Sequence, residues 1–157
     1  MLKLLRKYGK IYNIHIRIYS IREQVTVNLP ELEYELVKSV VNSNKTNYVI
    51  KENNTLVHKT SVFKYLNVLR LIKKKGPTIG DCFTHSDYRG KAIYPRVINK
   101  VSNELLASGQ YDEVFIIVND NNISSIIGIE KAGYQLNVEI ISKKFLLFYF
   151  NTQIKTF

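Results

Sequence analysis

The chain has 157 residues, about one domain by size, and a chain this long buries roughly two-thirds of its surface around one core. It is 45% hydrophobic and 23% charged, which excludes a disordered tract, and 23 basic against 13 acidic residues leave a net charge of +10 that favours anionic partners. A single cysteine, Cys82, excludes an internal disulfide framework, the three histidines His15, His58 and His85 show no zinc-ligand spacing, and no apolar run approaches the ~20 residues of a membrane helix.

Met1 to Lys10 carries four basic residues without a long apolar run or a small-residue cleavage site, so it reads as the start of a soluble, cytoplasmic domain. Ile14, Ile16 and Ile18 then alternate with His15, Arg17 and Tyr19, the pattern of a half-buried strand. Pro30 opens a predicted helix over Glu31 to Asn42, with Leu32, Leu36, Val37 and Val40 at helical spacing. Two strands follow, Asn47 to Lys51 and Thr55 to Phe63, joined by the hairpin chemistry of Glu52-Asn53-Asn54. Lys64 to Lys75 does not choose between helix and strand, and Lys73-Lys74-Lys75-Gly76-Pro77 reads as a solvated basic turn.

Thr78 to His85 is a predicted strand that runs into the polar turn Ser86 to Gly90. A long helix follows, with Ile93 or Tyr94, Val97, Ile98, Val101 and Leu105 on one face, Pro95 in its first turn and Gly109 at its end. Glu113 to Val118 is an apolar strand of the kind buried on both faces. A cap-rich loop, Asn119 to Asn122, leads into a helix ended by Gly133. Two last strands, about Tyr134 to Ile141 and Lys143 to Phe150, complete an α/β (α+β) pattern.

The segment that carries chemistry is strand, then Asp87-Tyr88-Arg89-Gly90-Lys91-Ala92, then helix. Gly90 allows a tight turn, the helix start offers unpaired N–H groups, and Arg89 and Lys91 add charge, which together suit a pyrophosphate. Neither Gly-x-x-x-x-Gly-Lys-Ser/Thr nor Gly-x-Gly-x-x-Gly is present, which argues against a Walker site and a dinucleotide fold.

Thr84 to Tyr94 resembles the acetyl-CoA signature of the GNAT acetyltransferases, Gln/Arg-x-x-Gly-x-Gly/Ala. Asn122-Ile-Ser-Ser125 and Ile129-Glu-Lys-Ala-Gly-Tyr134 resemble that family's second signature, at the family's separation. The likeness covers residues 78 to 135 well and the first 75 in element order only. It implies one acyltransferase domain over residues 1–157, with a mixed, splayed sheet of about seven strands flanked by helices and CoA in the split. It implies that Cys82, Phe83 and Thr84 pair with the pantetheine arm. The N–H groups of Arg89, Gly90, Lys91, Ala92, Ile93 and Tyr94 would hold the pyrophosphate, with Asn122 and Ser125 nearby. Ile129 stands where family members often carry a Tyr that protonates the leaving thiolate, and Lys64 to Gly80 holds no carboxylate.

By this resemblance the activity is transfer of acetyl from acetyl-CoA to a primary amine of a small molecule, with no metal. Direct attack needs a neutral amine, hence a base, and donors for the oxyanion and the thiolate. His85 is the first base candidate, against a plain surface histidine. Asp81 shares its strand, and by alternation its face, as base, ammonium ligand or edge charge. His58 is an acceptor-site candidate, against a satisfied structural histidine. Tyr94 and Tyr134 are proton-donor candidates, against core aromatics, and Cys82 reads as a buried small hydrophobe. The charge of +10 points to an anionic acceptor such as a nucleotide-linked amino sugar. The alternatives are a non-catalytic CoA-binding sensor or scaffold and, on charge alone, a basic nucleic-acid-binding module. Family members occur as monomers or dimerise through sheet edges, and the apolar run Phe145 to Phe150 is either such an edge or core.

Overall fold

A computed structural model describes residues 10–157, so the reading of the first residues as the start of a soluble domain lies almost wholly outside it. The elements are β1 (Tyr12–Ile21), β2 (Val37–Val40), β3 (Lys45–Glu52), β4 (Thr55–Phe63), β5 (Thr78–Thr84), α1 (Ile93–Ala107), β6 (Val114–Asn119), α2 (Ile123–Lys131), β7 (Gln135–Phe145) and β8 (Phe148–Thr156), with short 3-10 turns at Asn67–Ile72 and Ser86–Tyr88. All eight strands form one mixed sheet in the order β2-β3-β4-β5-β6-β1-β7-β8. Every neighbouring pair is antiparallel except β5 and β6.

That parallel pair decides the shape of the site. β5 and β6 are in register only at Thr78↔Phe115 and Ile79↔Ile116, after which they part. The sheet is splayed at its middle, as the resemblance implied. Val114 to Ile116 and Val118 are buried, and their side chains feed both faces, as the continuous apolar run of this strand predicts. On one face Tyr19, Ile21, Ile79 and Val118 pack under α1 and α2 through Val97, Ile98, Val101 and Ile129. On the other, Ile16, Ile18, Phe115 and Ile140 pack against Leu69 of the 3-10 turn.

The predicted helix over Glu31 to Asn42 does not form. Val25, Val27 and Leu29, and then Leu32, Tyr34 and Leu36, are instead half-buried at alternate positions in two runs of an extended strap, and Val37–Val40 is an eighth strand. The strap is tied to α1 by side chains: Asn103 Oδ1 accepts from the Val25 N–H at 3.1 Å, and Asn99 Nδ2 donates to the Val25 carbonyl at 2.9 Å. A helix would turn Tyr34 away from the core that Leu32 and Leu36 enter, and the extended chain buries all three.

The predicted hairpin between β3 and β4 is present, with Asn53 and Asn54 at positive φ of 47° and 64°. The last hairpin turns later than expected. β7 runs through Ser142 to Phe145, and the turn falls at Leu146-Leu147, with Leu146 at φ 54°. The apolar run Phe145 to Phe150 is therefore an exposed hairpin tip and not core, with Leu147 70% and Phe148 72% accessible.

Candidate active site

The signature turn follows β5 as the sequence indicates. Gly90 and Ala92 adopt left-handed φ of 77° and 56°, and Ala92 caps α1 with no side-chain bond to its first turn. Among the described residues, no backbone N–H from Gly90 to Tyr94 donates to a protein acceptor. A Cβ built on Gly90 meets no protein atom within 4 Å, so the turn faces open space. Arg89 Nε donates to the Thr84 carbonyl at 3.0 Å, which locks the turn to the end of β5. Lys91 Nζ lies 4.9 Å from the centre of the Tyr88 ring. A cavity of about 340 Å³ opens beside the turn, between the strap at 30–34 and Gly90 to Ile93, with Arg96 on its wall. Successive free N–H groups at a helix start, flanked by cations, fit a pyrophosphate on donor chemistry alone.

Beyond Ile79, the edge of β5 that faces β6 has no strand partner. A bulge opens here: Ser61 pairs with Gly80 and Lys59 with Phe83, so Asp81 and Cys82 stand together opposite Thr60. Asp81 has a positive φ of 48°. Bulges beside clefts re-aim backbone and side chains, and this one slips the ladder by one residue between Gly80 and Phe83, yet Asp81 stays on the face of Phe83, as counting by twos back from His85 predicts. Asp81 Oδ2 accepts from Lys45 Nζ at 2.8 Å. The Lys45 ammonium lies 4.8 Å from the centre of the Phe63 ring. Lys45, Ser61 and Phe63 share the face opposite His58, Thr60 and Val62, so Asp81 is on the face away from α1.

His58 is fully buried on β4, with Nδ1 2.8 Å from Thr84 Oγ1 and Nε2 2.8 Å from Thr60 Oγ1. Burial lowers its pKa to about 4, so the ring is neutral at pH 7 and a poor base. Thr60 Oγ1 donates to Cys82 Sγ at 3.5 Å, which extends the chain of polar groups Thr84, His58, Thr60, Cys82 along the floor of the split. Cys82 is exposed, contrary to the expectation of a buried hydrophobe, because the bulge turns it into the split. Desolvation by the surrounding protein still raises its thiol pKa to about 11.

His85 ends β5 beside the turn. Its Nδ1 accepts from the Asp87 N–H at 3.3 Å, and its ring meets Tyr88 edge-on at 5.9 Å. Tyr88 donates to Glu52 at 2.5 Å, a bond that pushes its pKa up to about 12. Three strand residues separate His85 from Asp81, on the order of 10 Å, so the two do not meet at one reacting atom. Phe83 is 42% accessible opposite Lys59. Asn122 caps α2, accepting from the Ser125 N–H at 3.3 Å. Ile93 and Ile129 are core residues.

The Tyr94 ring bridges the split between His58, at 6.3 Å, and Gly128 of α2. Burial raises the pKa of Tyr94 and of Tyr134, so both hydroxyls keep their protons. Tyr134 is buried and bonded to Ser102. Tyr34, Glu52, Thr60 and Arg96 join these surroundings without having been singled out from sequence. Arg96, one turn into a helix that opens on Arg89 and Lys91, was the one legible candidate among them.

Among the described residues, one group brings three metal-ligand types within 4.8 Å: His15, Asp120 and Glu139. Arg17 pairs with Asp120 at 2.5 Å, so a cation already occupies the neighbourhood of these carboxylates. No described helix is long and apolar enough to cross a membrane.

No family model and no curated protein matches the sequence. Solved structures do match in shape. A candidate acetyltransferase of the GNAT family from Novosphingobium aromaticivorans superposes with TM-score 0.57 at 12% identity, over 83% of this chain and 63% of its own. A Drosophila protein superposes with TM-score 0.59 at 13% identity, over 99% of this chain and 55% of its own. A conserved protein of unknown function from Staphylococcus epidermidis gives 0.53 at 8% identity, over 87% of this chain and 62% of its own. The chain thus spans between about half and two-thirds of the structures it resembles. The splayed sheet, the parallel pair at its fork and the likeness to a GNAT-family protein together establish that this chain has the GNAT fold.

Proposed function

We propose that this protein is an N-acetyltransferase that moves an acetyl group from acetyl-CoA to a primary amine of a small molecule, in a ternary complex. The observation that carries the reading is the run of unbonded N–H groups from Gly90 to Tyr94 beside the unpaired edge of β5. Donors at a helix start suit a pyrophosphate, and a free strand edge suits an amide-bearing arm. Arg89, Gly90, Lys91, Ala92, Ile93 and Tyr94 would hold the phosphates, and Cys82, Phe83 and Thr84 would line the arm. Asn122 and Ser125 would border it from α2. Acetyl-CoA would supply an acetyl group already activated as a thioester.

The chain's own groups then have distinct tasks. His85 stands at the phosphate end, beside the turn, and Asp81 at the fork, where the arm ends. Asp81 is thus better placed to hold the incoming ammonium and draw off its proton. His58, neutral and fully bonded, orders the floor of the split through Thr60 and Thr84. Tyr94 keeps a protonated hydroxyl in the split and is the donor available to a departing thiolate, where Ile129 offers none. Positioning of the two reactants supplies much of such a rate, so one missing acid is tolerable. The positive charge supports an anionic acceptor, including a nucleotide-linked amino sugar.

A second reading, CoA binding without transfer, is favoured by the burial of Ile129 at the position of the family's usual acid. Thermal unfolding with acetyl-CoA and with free CoA tests the shared premise. Ligand at about 100 times its Kd adds ~2.7 kcal/mol, which is several degrees at this size. No shift at millimolar ligand rejects both readings. A shift without turnover over a broad amine panel leaves the second.

A further inference from the structure

The face of β2 to β5 opposite α1 ends at the same fork, and no described helix crosses it. We propose that this face is the acceptor floor and that it takes a zwitterionic substrate, a primary amine carrying a phosphate close by, held by Asp81 and Lys45. The proposal rests on the acetyltransferase reading and adds the substrate class to it.

Three observations carry it. First, the register lines up Ser39, Asn47, Ser61 and Gly80 as successive neighbours across four strands. These residues make a low row that leads to the fork, since Gly80 follows the last residue of β5 paired to β6. Second, bulkier pairs flank the row: Lys45 with Phe63 on one side, Lys59 with Phe83 on the other. Both flanks therefore carry a lysine and a phenylalanine, and on the first the Lys45 ammonium lies 4.8 Å from the centre of the Phe63 ring. Third, a carboxylate at the fork, Asp81, is already paired, and its partner is Lys45 at 2.8 Å.

That pair is open to exchange. The Asp81 and Lys45 side chains are 56% and 23% accessible, and pairs of this exposure add little to stability. An incoming ammonium that replaces Lys45 at Asp81 leaves the Lys45 ammonium without a counter-charge a few ångströms away. A phosphate on the same molecule restores it, and Lys59 offers a second cation. A neutral sugar amine satisfies Asp81 alone. A polyamine adds positive charge where two lysines already stand. Only a zwitterion satisfies both halves of the split pair.

Equilibrium binding to the CoA-saturated protein tests this with two matched pairs of probes: phosphoethanolamine against ethanolamine, and glucosamine 6-phosphate against glucosamine. The expected result is at least tenfold tighter binding of each phosphorylated probe. Lys45→Met should cut that preference to threefold or less. Asp81→Asn should weaken both phosphorylated amines at least tenfold without weakening inorganic phosphate, since it leaves Lys45 free of its counter-charge. Equal binding within each pair, no binding of any probe, or a preference that survives Lys45→Met would overturn the proposal. The CoA-induced thermal shift, unchanged in both variants, shows that they fold. If wild-type protein gives no such shift, the acetyltransferase reading fails and this proposal with it. If the shift is intact and the probe preference absent, only this proposal fails.

Discussion

Replacing Gly90 by valine separates a phosphate cradle from a mere helix cap. Gly90 sits at φ 77°, and a Cβ there meets no protein atom within 4 Å. The cost to folding is therefore backbone strain alone, about 1–2 kcal/mol for a residue forced left-handed. At this size that lowers Tm by roughly 2–8 °C and leaves a folded protein. The cost to ligand binding is larger, because the side chain fills the space before the free N–H groups of Gly90 to Tyr94. Losing two charge-assisted bonds at ~1.5–3 kcal/mol each weakens CoA by a factor of about a hundred or more. Calorimetric titration of CoA into wild type, Gly90→Ala and Gly90→Val measures this directly. Alanine carries similar strain with less bulk and should fall between the two. A folded valine variant that binds CoA within threefold of wild type refutes the assignment of the turn.

Other consequences follow from particular residues. His58 is neutral in the fold with a pKa of about 4, against 6.5 for an imidazole free in water. Stability should be full above about pH 6.5 and fall progressively as the pH drops towards 4, by about 3 kcal/mol, because only the unfolded chain takes up the proton. Urea unfolding across this range should lose that slope in His58→Gln, and an unchanged slope would assign the acid sensitivity elsewhere. Gly128→Ala places a Cβ 2.6 Å from the Tyr94 ring. It should destabilise by about 1–3 kcal/mol and be relieved by Tyr94→Ala, which a double-mutant cycle reads out. Asn122→Ala removes the cap of a nine-residue helix and should cost ~1 kcal/mol. A loss of CoA affinity beyond that fixed cost, measured on the folded variant, would mark Asn122 as a ligand as well as a cap.

The second half of the chain was legible because its signals are local. Gly109 and Gly133 stop the helices at positive φ of 68° and 92°, Asn122 starts α2, and the apolar run of β6 fits a strand buried on both faces. The strap was not legible, because its apolar residues satisfy two periods at once. Leu32, Leu36 and Val40 are spaced for a helix, and Leu32, Tyr34 and Leu36 for an extended chain, and only packing of the last three against the core decides. The bulge in β5 was not legible either. Nothing local in Gly80-Asp81-Cys82 announces that Thr60 will face two residues, although Asp81 still lies on the face of Phe83, two residues before His85. The turn at Leu146-Leu147 was missed because apolar residues at a hairpin tip carry none of the usual turn chemistry.

The geometry of β5 then reorders the candidates, among which the sequence put His85 first. Its carboxyl end abuts Arg89 and the free N–H groups, and its amino end abuts the fork with β6. A group that helps at one end is out of reach at the other, on the order of 10 Å away. His85, Tyr88 and Glu52 cluster at the carboxyl end, where their mutual bonds shape the turn. Asp81 and Lys45 occupy the fork, and His58, Thr60 and Cys82 run between. If the turn holds phosphates, the reacting carbonyl belongs near the fork, and the exposed Asp81 carboxylate there is open to an incoming ammonium, whereas the buried His58 ring has both nitrogens bonded to threonines. The same bulge that spoils the alternation of β5 is what brings that carboxylate to the fork, on the face opposite the helix that opens the cofactor turn.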